Sequence, residues 1–287
     1  SFVGHSSEVR LLAVDPSGQL VASVAKDNSV RFWNTQSGEP LATIVDVPGA
    51  PITKIKFSPA GGFVALLSGR RISIVDVDAG EIVAEHHAAE DYSDVSFATE
   101  EQLYLGGRDG NLQLLARAGG GGWGLQQVWQ GPKGIRLLRA SPRGDYLILV
   151  DVDNLASQFM LPEGRVGDAT LQLPSDVQEV TFGPTGTRAY IKTSRWIHLA
   201  SSSVSGLIWM DALFVPRTLH GAGIVHGNGS PNSLRRSAVY LPVAKNGYLD
   251  IIELEFGGSS SAGLFGKRSE RFQEWNNRIN AARPAGS

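Results

Sequence analysis

The chain has 287 residues, of which 42% are hydrophobic and 19% are charged, and its 26 basic side chains nearly balance its 28 acidic ones. This profile is typical of a globular protein that buries a core, and it argues against a disordered chain and a strongly electrostatic nucleic-acid binder. The lack of cysteine excludes disulfides and thiolate metal sites, and no run of about 18 apolar residues is present to span a bilayer. Such a composition fits the cytosol or the periplasm, and we favour the cytoplasm.

The stretch from Gly4 to Trp33 predicts a tight antiparallel meander. Three short apolar runs, rich in β-branched and aromatic residues, predict its strands at 9–14, 20–24 and 30–33. The segments between them, 15–18 and 26–28, have the proline, glycine, aspartate and asparagine residues of turns. Residues 1–3, without an initiating methionine or a signal peptide, predict the end of another strand in a longer protein.

The first turn, Asp15-Pro16-Ser17-Gly18, recurs along the chain at a regular spacing. Its equivalents begin at Ser58, Ser141 and Gly183, so that successive prolines lie 43, 83 and 42 residues apart. The double step contains a turn without proline at 98–101, and one further period reaches a turn at 226–229. Six units of about 42 residues therefore cover residues 5–256.

Each unit predicts four strands, a to d, although the sixth unit has only three clear ones. After the first unit, the predicted strands are 52–57, 63–67, 72–77, 82–85, 95–97, 103–105, 112–115, 125–129, 135–140, 146–150, 156–161, 170–173, 177–182, 189–192, 196–200, 207–215, 221–225, 238–243 and 248–256. Four-stranded units at this period are typical of β-propeller blades around a central channel. We predict an all-β propeller over residues 1–256, with six blades, or seven as the alternative, in which the N-terminal strand closes the last blade.

The pattern changes after Phe256. Residues 257–263 predict a Gly/Ser linker, and Phe272, Trp275 and Ile279 have the spacing of a short helix. We expect this helix to dock on the propeller or to lead to another domain, and an amphipathic helix for a partner or a membrane is the alternative.

Four residues of the first unit match a known repeat. His5 follows a glycine, Ser23 lies in strand b, Asp27 in the b-to-c turn and Trp33 in strand c, a pattern that resembles a repeat of the WD-repeat β-propeller family. The resemblance implies that these side chains form a buried hydrogen-bonded tetrad, and that the loop faces of a rigid ring bind partners. The other units keep less of the pattern, as at Asp109, which has the turn aspartate without the serine or tryptophan.

No catalytic or cofactor motif is recognisable. The sequence contains no nucleophile elbow, HExxH pair or P-loop, and we predict no cofactor and no metal site. His86 and His87 come nearest to a metal pair, but adjacent strand residues point to opposite faces. The alternatives are a small-molecule or metal-dependent enzyme or sensor with a channel site, and a propeller that gates an enzyme domain on the same chain.

Basic residues recur in the predicted b-to-c turns, on the rim that also receives the blade-to-blade loops. They are Lys26, Arg70, Arg71, Arg108, Arg195 and Lys245. Turns favour solvated charge in any protein, and acidic residues such as Glu90 and Asp91 share this rim. We predict that the rim binds an acidic or phosphorylated peptide through charge-assisted hydrogen bonds.

One aromatic residue is a candidate anchor on the opposite rim. Trp123 is flanked by glycines in a predicted c-to-d loop, where it either anchors a partner or folds back onto its blade. Taken together, the sequence predicts a non-catalytic, monomeric interaction platform within a larger protein. Its expected partner is a protein or peptide and not a nucleic acid.

Overall fold

The computed structural model describes residues 4–47, 51–119, 121–161, 165–173, 177–182, 188–193, 196–203, 206–214, 225–226, 237–245 and 248–256. These residues form β-strands joined by turns and loops, which confirms the predicted all-β class. The strands of the first three sheets are β1 (Val9–Val14), β2 (Leu20–Ala25), β3 (Ser29–Asn34), β4 (Pro40–Asp46), β5 (Lys54–Phe57), β6 (Phe63–Ser68), β7 (Arg71–Asp76), β8 (Glu81–His87), β9 (Tyr92–Thr99), β10 (Gln102–Gly107), β11 (Asn111–Arg117) and β12 (Trp123–Gln130).

The repeat continues through two further groups of four strands. These strands are β13 (Ile135–Ala140), β14 (Tyr146–Asp151), β15 (Leu155–Met160), β16 (Arg165–Gln172), β17 (Glu179–Phe182), β18 (Arg188–Lys192), β19 (Trp196–Ser203) and β20 (Gly206–Phe214). Within each group the strands pair antiparallel in chain order. A parallel pairing of Ala169 with Gly206 joins β16 to β20 and makes one eight-stranded sheet, which the sequence did not predict.

The a-to-b turns that begin at Asp15, Ser58 and Ser141 show what the opening aspartate or serine does. In the first turn, Asp15 Oδ1 accepts the Leu20 backbone N–H at 2.7 Å. In the second, Ser58 Oγ accepts the Phe63 N–H at 2.9 Å. The side chain that opens the turn therefore satisfies the backbone donor that opens strand b, which makes the hairpin a local property of the sequence.

The hydrophobic core lies between successive sheets. All six residues of β6 are buried, because Val64 and Leu66 pack in a cluster shared with the first sheet, while Ala65 and Leu67 pack in a cluster shared with the third. Both faces of the sheet are therefore covered, and this explains why its strands are apolar throughout instead of alternating. Burial of each valine or leucine side chain contributes about 1.5–3 kcal/mol.

The first strands of consecutive four-stranded groups lie next to one another. β1 contacts β5, β5 contacts β9, β9 contacts β13, and β13 contacts β17. The a strands are thus the inner strands of consecutive blades, and each b-to-c turn lies at the opposite end of its sheet from the a-to-b turn.

The chain divides into two compact units, residues 1–218 and residues 219–287. The first contains the five four-stranded groups, and the second contains a three-stranded sheet of β21 (Val225–His226), β22 (Ser237–Lys245) and β23 (Tyr248–Phe256). The predicted closing strand at 1–3 and the predicted linker and helix at 257–287 lie outside the described residues. In the part of the chain that is described, no helix has the length and apolarity needed to cross a membrane.

Candidate partner-binding rim

A directional chain of hydrogen bonds crosses the first blade. Trp33 donates its indole N–H to Ser23 Oγ at 2.7 Å, and Ser23 Oγ lies 2.6 Å from His5 Nε2. His5 Nδ1 lies 3.1 Å from Ser29 Oγ, which donates to Asp27 Oδ1 at 2.7 Å. Because a hydroxyl has one proton, these contacts are all satisfied when Ser23 donates to Nε2 and a neutral His5 donates from Nδ1.

Ser29 is the member of this network that the sequence analysis missed. The four predicted residues are brought together, but Asp27 reaches His5 through the Ser29 hydroxyl, and Asp27 itself is exposed. The position two residues after the turn aspartate was the available signal, because an Asx turn brings its backbone N–H to the carboxylate, as the Ser29 N–H does to Asp27 Oδ1 at 3.1 Å. Trp33 and Ser23 are buried, so the network extends from the core to the turn.

The network fixes the charge states of its two titratable groups. Hydrogen bonds from the Ser29 side chain and backbone lower the pKa of Asp27 to about 2. Burial and the positive charge of Arg31 lower the pKa of His5, against a smaller opposing effect of Asp27. At neutral pH the Asp27 carboxylate is therefore ionised and the His5 imidazole is neutral.

Backbone hydrogen bonds join the b-to-c turns to the blade-to-blade connections. Tyr92 N–H donates to Gly69 O at 3.1 Å, and Arg108 N–H donates to Asp91 O at 3.0 Å. The connection after the second blade is therefore held between the turns of the second and third blades. We call the surface formed by these turns and connections the b–c rim: residues 26–28, 47, 51–53, 69–70, 88–91, 108–110, 131–134 and 152–154.

The same pattern continues to the fourth blade. Val152 N–H donates to Gly134 O at 3.0 Å, and the side chains of Lys133 and Asp153 form an ion pair. Val152 is 55% exposed, although it is apolar. This part of the b–c rim thus presents an apolar side chain next to charged ones on a backbone whose polar groups are already paired.

The predicted basic residues differ in their surroundings. Lys26 and Arg108 are exposed, and neither forms an ion pair within the described part of the chain. Arg70 lies 3.6 Å from Asp91 Oδ1. Arg71 is the first residue of β7, and its guanidinium pairs with Glu85 on β8, so it faces the sheet and not the rim.

The other predicted contact residues lie elsewhere. Arg195 is outside the described residues, and Lys245 ends β22 in the second unit. Trp123 begins β12 and is not a loop residue; its ring lies edge-on to Phe63, with 5.5 Å between the ring centroids. Of the two placements predicted for Trp123, the structure has the one that folds back onto the blades.

The two adjacent histidines lie on opposite faces of β8. His86 pairs with Ile72 and His87 with Arg71 across the β7–β8 ladder. Burial and then the charge of His87 lower the pKa of His86. Among the described residues, no group of three or more histidine, aspartate or glutamate side chains is placed to hold a metal ion.

Comparisons with known proteins agree with this architecture. Residues 1–34 match the family model described as WD domain, G-beta repeat. The fold is similar to that of the Cps50 (Swd1) β-propeller domain from Myceliophteria thermophila, with a TM-score of 0.66 at 11% identity over 90% of this chain and 88% of that domain. The likeness shows a β-propeller fold.

Sequence relatives have longer chains. This chain is similar to a ribosome biogenesis protein BOP1 homolog from Caenorhabditis elegans, with 26% identity over 73% of this chain and 30% of the relative. It is also similar to ribosome biogenesis protein bop1 from Danio rerio, with 28% identity over 68% of this chain and 25% of the relative. The chain therefore spans less than a third of the length of these two relatives.

Proposed function

We propose that this chain, a β-propeller with a WD repeat at residues 1–34, is a non-catalytic platform that binds a protein partner through the b–c rim. It would serve as one part of a larger protein of ribosome biogenesis, in line with the names of its relatives. A rigid repeat fold produces function in this way, by presenting loops on a fixed frame without a reactive site.

The observation that carries the proposal is the pair of exposed cations, Lys26 and Arg108, on a rim whose backbone is held by hydrogen bonds. Neither cation has a carboxylate partner in the described residues, whereas Arg70 and Lys133 are paired with Asp91 and Asp153. Lys26 and Arg108 are therefore available for charge-assisted hydrogen bonds to an incoming group.

The chemistry of the rim indicates an acidic or phosphorylated segment as the partner. A guanidinium binds carboxylate or phosphate oxygens in pairs, and the exposed Val152 offers an apolar contact on the same rim. Since the overall charge of the chain is −2, attraction depends on this local arrangement and not on a general positive field. We therefore favour a protein or peptide partner over a nucleic acid.

The experiment compares partner capture by three versions of the chain. Quantitative affinity capture, from extract with and without nuclease treatment, uses wild type, the double variant Lys26→Glu with Arg108→Glu, and the control Arg143→Glu. Arg143 is also exposed, but it lies in an a-to-b turn at the other end of its sheet. The control therefore reverses a charge without touching the rim.

We expect the double variant to lose proteins that wild type and Arg143→Glu retain. Each lost charge-assisted bond is worth about 1.5–3 kcal/mol, so the two changes weaken binding by well over tenfold. Equal capture by all three versions would remove the rim from the proposal. Capture that disappears on nuclease treatment would show a nucleic-acid partner and contradict a direct protein contact.

A further inference from the structure

A cluster of charged side chains lies on three adjacent inner strands. Asp94 on β9 has a fully buried side chain, with Lys54 Nζ of β5 at 2.8 Å from Oδ1 and Arg139 Nη1 of β13 at 3.4 Å from Oδ2. The backbone N–H groups of Val95 and Leu138 also donate to this carboxylate, at 3.0 and 2.9 Å. Asp94 therefore joins the inner strands of three blades.

The acceptor capacity of Asp94 is fully used. Its two oxygens receive four donors, which matches the roughly four lone-pair sites of a carboxylate. Burial acts to raise the pKa of Asp94, but the charges of Arg139 and Lys54 and the hydrogen bonds hold it below its usual value. The group is ionised, and it has no free site for another cation.

Unlike Lys54 and Arg139, Lys56 is a cation of this region that is not bonded to Asp94. It lies two residues from Lys54, on the same face of β5, and it forms no hydrogen bond or ion pair within the described part of the chain. Burial lowers its pKa to about 8, helped by the charges of Arg139 and Lys54 and opposed by Asp94 and Glu179. Glu179 also acts on the buried Lys192 of β18, so the four cations Lys54, Lys56, Arg139 and Lys192 stand against the two carboxylates Asp94 and Glu179. The ammonium of Lys56 is partly buried and has no carboxylate at ion-pair distance among the described residues.

Arg139, whose charge acts on the Lys56 ammonium, has unused donors. Its Nη1 donates to the Leu138 carbonyl at 2.8 Å and to Asp94, which leaves Nη2 and Nε without a hydrogen bond in the described residues. The side chains of Lys54 and Arg139 are 30% and 20% exposed, so the cluster is open to solvent and to an ion. A group that accepts from a guanidinium and an ammonium together needs several oxygens and a negative charge.

We propose that Lys56 and Arg139 bind a phosphate group on these inner strands, either as a free phosphate or as part of a phosphorylated partner. Phosphate offers three or more acceptor oxygens, fits the planar fork of Arg139 and supplies the missing counter-charge. The site is separate from Lys26 and Arg108, so the rim proposal and this one can fail independently.

The binding test uses isothermal titration calorimetry with sodium phosphate, sodium pyrophosphate and, at the same ionic strength, sodium chloride. The versions compared are wild type, Lys56→Met and the control Arg143→Met, which removes one positive charge from an exposed a-to-b turn outside the rim. We expect Lys56→Met to weaken phosphate binding by about tenfold or more, and Arg143→Met to leave it unchanged. A heat of phosphate binding no larger than the heat measured with chloride would overturn the proposal. Equal phosphate affinity of Lys56→Met and its control variant would also overturn it.

A phosphoserine peptide and its unphosphorylated form distinguish the two sources of phosphate. Binding of the phosphopeptide that inorganic phosphate displaces, and that Lys56→Met weakens, assigns the site to a phosphorylated partner. Binding of phosphate and pyrophosphate alone assigns it to a free anion. Either result supports the site, while phosphate and phosphopeptide that both bind equally well to wild type and Lys56→Met would contradict it.

A labelling experiment on the wild-type chain does not depend on the folding of a variant. A limiting amount of acetic anhydride at pH 8 should modify Lys56 ahead of Lys133, because burial lowers the pKa of Lys56 to about 8, whereas the hydrogen bond to Asp153 raises the pKa of Lys133. Bound phosphate favours the ammonium, so we expect it to slow labelling of Lys56 about threefold or more, and that of Lys133 not at all. Unchanged labelling of Lys56 at saturating phosphate would contradict the proposed contact.

Discussion

Glu100, in the a-to-b turn of the third blade, accepts a hydrogen bond from the Ser58 hydroxyl of the second blade, with Oε2 lying 2.8 Å from Oγ. Its other oxygen accepts the backbone N–H of Ala60. Ser58 is fully buried, and its Oγ also accepts the Phe63 N–H. One carboxylate thus ties the turns of two neighbouring blades together at the end opposite the b–c rim.

Replacement of Glu100 by alanine should destabilise the chain by about 1–3 kcal/mol, because the buried Ser58 hydroxyl loses its acceptor. Urea unfolding followed by circular dichroism measures this change. Glu101→Ala is the matched control, since Glu101 is exposed in the same turn and no side-chain contact of it is seen in the described residues. Equal stability of the two variants would show that the Glu100 contact contributes nothing.

This contact illustrates what the sequence predicts and what it does not. The turns and strands follow from local chemistry, and β1, β13 and β23 have the bounds that the hydrophobic runs predicted. The third turn lacks proline, and its sequence gave no sign that Glu100 caps a turn about one repeat earlier. Contacts between blades depend on which side chains meet across 40 or more residues, and a local pattern carries no information about that.

In the candidate site, too, some residues lie where local chemistry predicts them, and others are placed by contacts that the local sequence does not reveal. Lys26 and Arg108 are exposed as turn chemistry predicts, because b-to-c turns face solvent. Arg71 was assigned to the same turn, but β7 begins at this residue and its guanidinium reaches Glu85 on the neighbouring strand. Trp123 lies against Phe63 for a comparable reason, since its partner is a residue 60 positions earlier that only the packing of two blades brings near.

The hydrogen-bond chain of the first blade predicts an order of effects. Ser23→Ala removes the acceptor of the Trp33 N–H and the donor to His5 in the buried part, so we expect a loss of about 2–3 kcal/mol. Ser29→Ala breaks the link to Asp27 near the surface and should cost about 1 kcal/mol or less. Chemical unfolding measures both. A larger loss of stability in Ser29→Ala than in Ser23→Ala would contradict this order, because it would show that the bonds near the turn contribute most to the network.

The lowered pKa of His5 predicts a dependence of stability on pH. Because the folded chain holds its imidazole neutral below the usual pKa of about 6.5, protonation favours the unfolded chain. The contribution of His5 to the free energy of unfolding is fully present above the usual pKa. It decreases as the pH falls toward the lower pKa that His5 has in the folded chain. Urea midpoints measured between pH 7.5 and pH 5 should therefore decrease more in wild type than in His5→Gln, which keeps polar atoms but does not titrate. Parallel midpoints in the two proteins would exclude His5 as the cause.

Two glycines with positive φ allow backbone strain to be separated from steric contact. Gly18 and Gly110 have φ angles of 74° and 87°. A Cβ on Gly18 meets nothing within 4 Å, whereas one on Gly110 lies 2.7 Å from the carbonyl oxygens of Gly131 and Lys133. Gly18→Ala should therefore cost about 1–2 kcal/mol, from the left-handed conformation alone.

Gly110→Ala should cost more, by roughly 1–3 kcal/mol beyond the Gly18→Ala value, since two backbone carbonyls have to move. Those carbonyls belong to the 131–134 connection of the b–c rim, next to Arg108. We therefore expect Gly110→Ala, measured where both variants remain folded, to weaken capture of the rim partner, and Gly18→Ala to leave it intact. Equal free energies of unfolding for Gly110→Ala and Gly18→Ala would mean that the 131–134 connection moves without an energetic cost. Unchanged capture by Gly110→Ala would show that the partner does not bind at the third blade.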